Sequence, residues 1–433
     1  MKSILKKLLL FLGLVIFFFV TNYFSVINDD LVWNFGFCSN FADGMTMYKD
    51  YNMVITPFYP FLIGSLMKIF GNNMLVFYIL NAIIPASIMM IVLKLSKKAF
   101  IPTMLLLSFV SVPNYNLFCI LLLFILLWLE KKQENDYLIG FVLGITFLTK
   151  SSVGVMLCLP TIYYLIKDFK KVLKRIVGFL IPNLLIFGIF YFNGSLYDYI
   201  NYCFLGLFDF AKGNTEVSFL AIITVLSVIY LIYQFIKKKD INILYILCFQ
   251  MIAFPIFNGF HVMYAGVPVL YYLMDNLSKK IDCFYEEYRK LFLLILLCPL
   301  IGSTLVAVTH DFVYDDNVFK YRYVDKKFSE DAKIIDSMFK GKYDNVYFIM
   351  YSAYLNKYLL DIPINKYDLL LKGNLGYNGE NKVIEEFEKM NDIYFIMYRN
   401  YEGGQASKKI YDFVTNNCEV VDAKGKYVVY YKK

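Results

Sequence analysis

Charge is scarce in this sequence. Asp, Glu, Lys and Arg make up 18% of its 433 residues, against 59% hydrophobic and 19% aromatic. No water-soluble globule needs so much apolar surface, whereas a protein that crosses a membrane several times does. Disordered, collagen-like and disulfide-scaffold classes are excluded on the same figures. Paired cysteines are missing too. The eight Cys stand singly, mostly inside apolar runs and without a C-x-x-C, so neither a disulfide framework nor a zinc site is indicated. Cys38 and Cys203 are a pair able to meet outside the membrane, but unpaired thiols are expected.

The net charge of +8 is unevenly placed. Residues 1–310 carry 24 basic and 16 acidic side chains, and residues 311–433 carry 19 of each. The basic excess belongs to the apolar part, the pattern of cytoplasmic loops whose Lys and Arg set topology. Nucleic-acid binding, the usual reading of a basic protein, loses to it.

A first apolar run, Leu8 to Val20, follows Lys2, Lys6 and Lys7 with no small-residue cleavage site after it, so a retained first span with its N-terminus inside is expected. Further runs occupy about 73–93, 99–129, 137–166, 174–193, 217–236, 241–257, 261–278 and 290–309. The 99–129 and 137–166 runs have basic residues on both flanks. Each therefore reads as a hairpin, turning near Pro113-Asn114 and near Lys150-Ser151-Ser152. Arms of about 15 residues span only about 22 Å of a bilayer core of about 30 Å, which implies local thinning or shielding by protein. The expectation is a polytopic α-helical membrane protein of about eleven spans, N-terminus cytoplasmic and C-terminus outside; one crossing per disputed run would give nine. Inner loops then hold 20 Lys and Arg, and outer loops before residue 311 hold four: Lys49, Lys68, Lys150 and Lys212.

The membrane domain is thus 1–310, with long outer loops at 28–72 and 194–216. In the first, residues 53–70 are broken by Pro57, Pro60 and Gly64 and read as a helix in the membrane interface. Residues 311–433 form a small extracytoplasmic α/β domain. The pentapeptide YFIMY occurs at Tyr347–Tyr351 and Tyr394–Tyr398, two short apolar runs suited to buried parallel strands. Helices are expected at 381–390 and 405–416, and a last strand at 427–431, with right-handed crossovers. No Gly-rich loop follows either strand, so nucleotide binding there is unsupported.

Asp29 and Asp30 follow the first span at once. Adjacent carboxylates at a membrane boundary are costly to desolvate, which marks them as candidates for function; two Asp that merely end a span in water are the plain alternative. Trp33, the Tyr48-Lys49-Asp50 turn and the Pro57–Pro60 segment come next. The stretch NDDLVW…FADGMTMYKDYNMVITPFYPFLIGSLMKIFG resembles the first outer loop of GT-C glycosyltransferases of the protein O-mannosyltransferase and lipid A aminoarabinose transferase group. Asp29 and Asp30 match that group's acid pair, Tyr48-Lys49-Asp50 its turn and Phe70-Gly71 its closing residues. Gly140–Lys150 (GFVLGITFLTK) is similar to its glycine-spaced span ending in Thr-Lys, and Phe257–Pro268 to its late segment with an outer-face His. The second acid is Asp where Glu is commoner, and TPFYP replaces the usual Pro motif, leaving sugar and acceptor open.

The resemblance implies a GT-C enzyme that transfers a sugar from a polyprenyl-phosphate donor to a hydroxyl of a cell-envelope glycan, lipid or protein. Phosphate leaves without help from a protein acid, so one base and one cation suffice. Asp29 is the expected base, with Asp30 or Asp50 orienting base or acceptor, and a single displacement predicts inversion. Lys150, at a hairpin tip, is the first choice for the phosphate, with Lys49 and Arg322 behind it. His261 is placed to orient acceptor or phosphate, and Trp33, Tyr48 and Tyr51 to stack on a sugar; each also has a plain structural reading as packing or capping. Three close carboxylates are a ligand set for a divalent metal, but the group resembled generally uses none, and no cofactor is expected. Rival readings are a flippase or transporter for lipid-linked saccharides, an outer-face polysaccharide polymerase, or a binding protein. Abundant Lys, Asn, Ile and Tyr with few Arg suit an AT-rich bacterial genome.

Overall fold

The computed structural model describes residues 2–23, 26–165, 168–214, 216–254, 256–276, 297–314, 316–339, 345–371, 373–401 and 407–433. Fifteen helices precede residue 310 among them: α1 Lys2–Tyr23, α2 Asp29–Ala42, α3 Phe58–Phe70, α4 Met74–Leu95, α5 Phe100–Val110, α6 Tyr115–Lys132, α7 Asp136–Thr149, α8 Ser151–Ile162, α9 Phe169–Phe192, α10 Leu196–Ile200, α11 Leu207–Asn214, α12 Ala221–Lys238, α13 Ile241–Phe249, α14 Gly259–Asp275 and α15 Cys298–Thr309. Those in α1, α4, α9 and α12 contain stretches long and apolar enough to cross a membrane. Along α12, Ile222, Ile223, Val225, Leu226 and Ile229 are all exposed, a surface that water would not tolerate and lipid covers.

Both disputed runs break where the sequence suggested. Asn114 caps α6, its Oδ1 accepting the Leu117 N–H at 3.0 Å, directly after Pro113. Lys150 is the residue between α7 and α8. Within the 53–70 stretch only Phe58–Phe70 is helical, as α3, which begins just after Pro57 and lies beside α2. The run at 290–309 lies partly outside the described residues.

Glycine decides how closely the helices approach. A Cβ added to Gly140 would fall 2.1 Å from the Arg175 carbonyl oxygen, and one on Gly178 2.1 Å from that of Tyr137. Hence α7 and α9 lie backbone against backbone, as small residues permit where no hydrophobic effect drives association. At one end of the bundle Arg175, 2% exposed, meets Glu130 at 2.7 Å and Asp136 at 2.9 Å, and the Tyr245 hydroxyl donates to Glu130 at 2.9 Å. Buried charges persist when paired in this way, and the cluster ties α6, α7, α9 and α13.

Within the bundle two-residue strands β1 (Glu216–Val217) and β2 (Ile256–Phe257) pair in parallel; after α15 come a short hairpin, β3 (Asp311–Phe312) with β4 (Tyr323–Val324), and α16 Lys326–Phe339, and then a four-stranded sheet in the order β5-β6-β8-β7. Strands β5 (Val346–Ile349) and β6 (Ile393–Tyr398), the two YFIMY runs, pair in parallel with Tyr347 opposite Phe395. Val346 and Phe348 pack on one face with Ile335 of α16, Tyr347 and Ile349 on the other with Val383 of α18 (Gly379–Lys389) and Ile410 of α19 (Lys408–Asn417). Burial on both faces explains the unbroken apolar runs. The end differs from expectation. Strand β8 (Tyr427–Lys432) is antiparallel to β6 and forms a hairpin with β7 (Glu419–Lys424), whose exposed valines and charges hid it from the hydrophobic pattern. The hairpin turns on Gly425 at φ 58°, where a side chain would be strained.

Gly178→Val is expected to cost about 1–3 kcal/mol through forced separation of α7 and α9. Gly188→Val on the same helix, where nothing lies within 4 Å, serves as the control. Thermal unfolding of the purified protein in detergent checks this: equal shifts in Tm for the two variants would refute the close approach.

Candidate active site

Asn28 starts the site. Its side chain caps α2 by accepting the Leu31 N–H at 2.9 Å, which puts Asp29 and Asp30 in the first helical turn. The helix N-terminus favours their ionised forms, but removal from water opposes it. Burial pushes Asp29 up from the ordinary carboxylate range to about 7, against the hydrogen bond from the Ser352 hydroxyl at 3.2 Å, with the neighbouring Asp30 charge adding a little. Asp30 is also raised, first by burial, while the Tyr351 hydroxyl beside it works the other way. Asp30 is nonetheless exposed, on the wall of a partly open cavity.

That cavity measures about 430 Å³. Asp30, Trp33 and Asn34 of α2 form one side; Tyr115 and Asn116 of α6 and His261 and Tyr264 of α14 form others. The fourth side comes from the soluble domain, as Tyr351, Leu369, Leu371 and Asn374. Among the described residues, Trp33 Nε1, Asn34 Oδ1, Asn374 Oδ1 and Asp29 Oδ1 are buried without a hydrogen-bond partner. Trp33, Asn34 and Asn374 are residues of the cavity lining, and such polar side chains around a hollow suit a polar ligand rich in hydroxyls.

Lys150 stands behind this wall. Its ammonium donates to Asn116 Oδ1 at 3.0 Å and to the Ile252 carbonyl at 3.1 Å, and lies 5.7 Å from the centre of the Tyr115 ring. No carboxylate among the described residues pairs with it. Asn258 caps α14, and its Oδ1 accepts both the His261 backbone N–H at 3.2 Å and the Nδ1 proton at 2.9 Å. That tautomer leaves Nε2 an acceptor.

A second hollow of about 830 Å³ is almost wholly apolar and runs between α8, α12 and α13. Segments 250–254 and 256–258 contribute to both: Gln250, Met251 and Phe257 line the apolar groove, and Ile256 and Asn258 the polar cavity. Ile252, a partner of Lys150, sits in the first of these segments.

Other residues that the sequence reading gathered here have different neighbours. The Tyr48 hydroxyl donates to the Ile55 carbonyl at 2.8 Å, and its buried ring packs on Phe190, Tyr199 and Tyr202. Tyr51 is likewise buried, its hydroxyl on the Phe37 carbonyl at 3.1 Å. Asp50 closes its own turn by accepting the Thr46 N–H at 2.6 Å, so it does not converge with Asp29 and Asp30. Lys49 is exposed beside Asp198. Arg322 is fully buried between the rings of Tyr23, at 4.3 Å, and Tyr78, at 3.9 Å, and donates to the Asn22 carbonyl at 3.3 Å. It straps the soluble domain to α1 and α4, out of reach of the cavity. Cys38 and Cys203 are both free thiols. No three His, Cys, Asp or Glu side chains are grouped as a metal would require, among the described residues.

Sequence reasoning missed the contribution of the soluble domain. Helix α17 (Ala353–Leu359) sits against α2, where Gly36 is needed because a Cβ would lie 2.5 Å from the Tyr354 ring. Asn52, wholly buried in the first outer loop, donates to the Leu369 carbonyl at 2.7 Å and accepts the Leu369 N–H at 3.3 Å. The buried Lys357–Asp368 pair, 2.7 Å apart, holds the same loop from the domain side. One signal was available: the first YFIMY run ends in Tyr351-Ser352, polar residues at the C-terminal end of a parallel strand, where α/β sheets usually carry their sites.

These features define a membrane protein of the GT-C fold. It is similar over 98% of its length to 97% of ArnT from Cupriavidus metallidurans bound to undecaprenyl phosphate, with a TM-score of 0.57 and 12% identity. The same protein in the apo state matches at TM-score 0.57 and 13% identity, over 99% of this chain and 98% of that one. The Archaeoglobus fulgidus oligosaccharyltransferase AglB, in complex with an inhibitory peptide and a dolichol-phosphate, matches at TM-score 0.46 and 11% identity, over 90% and 69%. No family model and no curated protein matches the chain.

Asn52→Ala would leave the Leu369 N–H and carbonyl without their partners, at a cost of about 1–3 kcal/mol. Limited proteolysis should then cut the 361–371 loop several-fold faster than in the parent protein; an unchanged rate would show that Asn52 does not hold it.

Proposed function

We propose that the protein is a membrane glycosyltransferase that moves a sugar from a polyprenyl-phosphate donor to an acceptor hydroxyl on the extracytoplasmic face. The observation that carries this reading is a pair of unlike hollows lined by neighbouring residues of the chain, Phe257 in one and Asn258 in the other. A polar cavity has Asp30 of the acid pair on its wall, an apolar groove is lined by residues next to it in the chain, and a buried ammonium bonds the Ile252 carbonyl between them in sequence. A lipid-linked sugar phosphate has three matching parts. The groove suits the polyprenyl tail, Lys150 the phosphate and the cavity the sugar. The undecaprenyl phosphate bound by the ArnT relative supports the assignment.

The chemistry is one displacement. The acceptor oxygen attacks the anomeric carbon as the carbon–oxygen bond to phosphate breaks, and Asp29 takes the hydroxyl proton. The electron pair of the broken bond leaves on the polyprenyl phosphate, where Lys150 offsets the growing charge. A carboxylate titrating near 7 is a stronger base than an ordinary one and is still half ionised at neutral pH. Asp30 holds the acceptor or orients Asp29, and attack opposite the leaving group inverts the anomeric centre. Eleven spans, with the N-terminus inside and domain 311–433 outside, place the cavity at the outer rim of the bilayer. A mid-membrane site with broken helices, as in a transporter, fits the cavity beneath the soluble domain less well.

Purified protein given a panel of polyprenyl-phosphate sugars should release one of them onto an acceptor. Asp29→Asn should lower turnover by about 10²–10⁴-fold with donor binding retained; full activity in that variant would remove the assigned base. Because the base acts ionised, kcat/KM of the parent should rise with pH through about 7 and level off above it. Lys150→Ala should raise the donor KM about tenfold, which corresponds to the loss of about 1.4 kcal/mol of binding. An unchanged KM would take Lys150 out of the phosphate site.

A further inference from the structure

The geometry points to Tyr351 and Ser352 of the soluble domain as positioning residues of the reaction, one for each carboxylate of the acid pair. The inference rests on the glycosyltransferase reading and deepens it: the docked domain tunes the base as well as covering the cavity.

The arrangement follows from the sheet. Strand β5 ends at Ile349, and the chain runs on through Met350 to Tyr351 and Ser352 before α17 begins at Ala353. Because α17 is docked on α2, that turn is pressed onto the first turn of α2. The Ser352 hydroxyl donates to Asp29 Oδ2 at 3.2 Å, and the Tyr351 hydroxyl lies close enough to Asp30 to affect its charge. Ser352 is 6% exposed, so water does not readily replace it. The Tyr351 ring is held against Trp33 with centroids 4.7 Å apart, fixing where its hydroxyl sits.

Asp29 feels Asp30 on its own helix and Tyr351 and Ser352 from the soluble domain. Asp30 faces Tyr351, Tyr115 of α6 and Tyr264 of α14. Neutral hydroxyls surround both acids, and hydroxyl donors stabilise the ionised form. Removing the Ser352 hydroxyl therefore raises the proton affinity of Asp29, already lifted by burial. The acid limb of kcat/KM should move to higher pH. A serine that merely packs would change the rate equally at every pH.

The test uses the full-length protein in detergent with Ser352→Ala, Ser352→Thr and Tyr351→Phe, each first checked for an unchanged Tm. Labelling with a hydrophobic carbodiimide, which attacks the protonated carboxyl, is followed by peptide mass mapping across pH and reads the titration of Asp29 without any substrate. The midpoint should rise by about one unit in Ser352→Ala and return in Ser352→Thr. Tyr351→Phe should raise the midpoint of Asp30 and leave that of Asp29 nearly in place. The acid limb of transfer should follow the Asp29 midpoint, with about a tenfold loss in Ser352→Ala at pH 5.5 and less than twofold at pH 9. An Asp29 midpoint unmoved in Ser352→Ala overturns the inference, as does an acid limb that stays put while the midpoint moves. A parent protein that transfers no sugar sinks the glycosyltransferase reading, and the catalytic role of the two residues with it. The labelling midpoints would still report that the soluble domain sets the protonation of the pair.

Discussion

Two adjacent carboxylates that follow a membrane span and are crowded by a docked domain impose the central constraint on this molecule. The N-terminus of α2 pulls Asp29 and Asp30 towards ionisation, and their loss of water pulls the other way. For Asp29 desolvation prevails, leaving the group near neutrality instead of near 4. That balance exists only while the soluble domain sits on α2. The close fit at Gly36, the Asn52 clamp on Leu369 and the buried Arg322 strap therefore belong to the same arrangement as the acids.

The membrane part meets a parallel constraint. Helices in lipid gain little from burying apolar surface against one another, so contact must come from close packing and from polar groups with nowhere else to go. Gly140 and Gly178 let α7 and α9 touch, and the Arg175 cluster ties that pair to α6 and α13. At the other end of α7 the chain turns at Lys150, whose ammonium takes one carbonyl partner from segment 250–254, which lines the apolar groove. The closely packed α7–α9 pair is thus what sets where the buried cation sits.

Much of the local organisation was legible from residue order. Pro113-Asn114 and Lys150 interrupt apolar runs, and the helices break there. The YFIMY repeats are apolar on both faces and became adjacent parallel strands. Asp29 and Asp30 end one span and begin the next helix. The misreadings share a cause. Tyr48, Asp50 and Arg322 have the chemistry of site residues, but the Ile55 carbonyl, the Thr46 N–H and the Asn22 carbonyl with its flanking rings claimed them first. Strand β7 alternates too weakly to betray itself, because most of it is exposed.

Local sequence by itself determined where helices start and stop, which stretches are apolar enough for lipid, and that an acid pair stands at a span's end, because capping, turn and hydrophobic-run preferences act over a few residues. Only the tertiary structure decided which side chains surround that pair. Ser352 is 323 residues from Asp29 in the chain, and no local preference records a contact over that distance. It arises when β5, α17 and α2 pack, and with it come the desolvation and the hydroxyl partners that set how readily Asp29 gives up its proton.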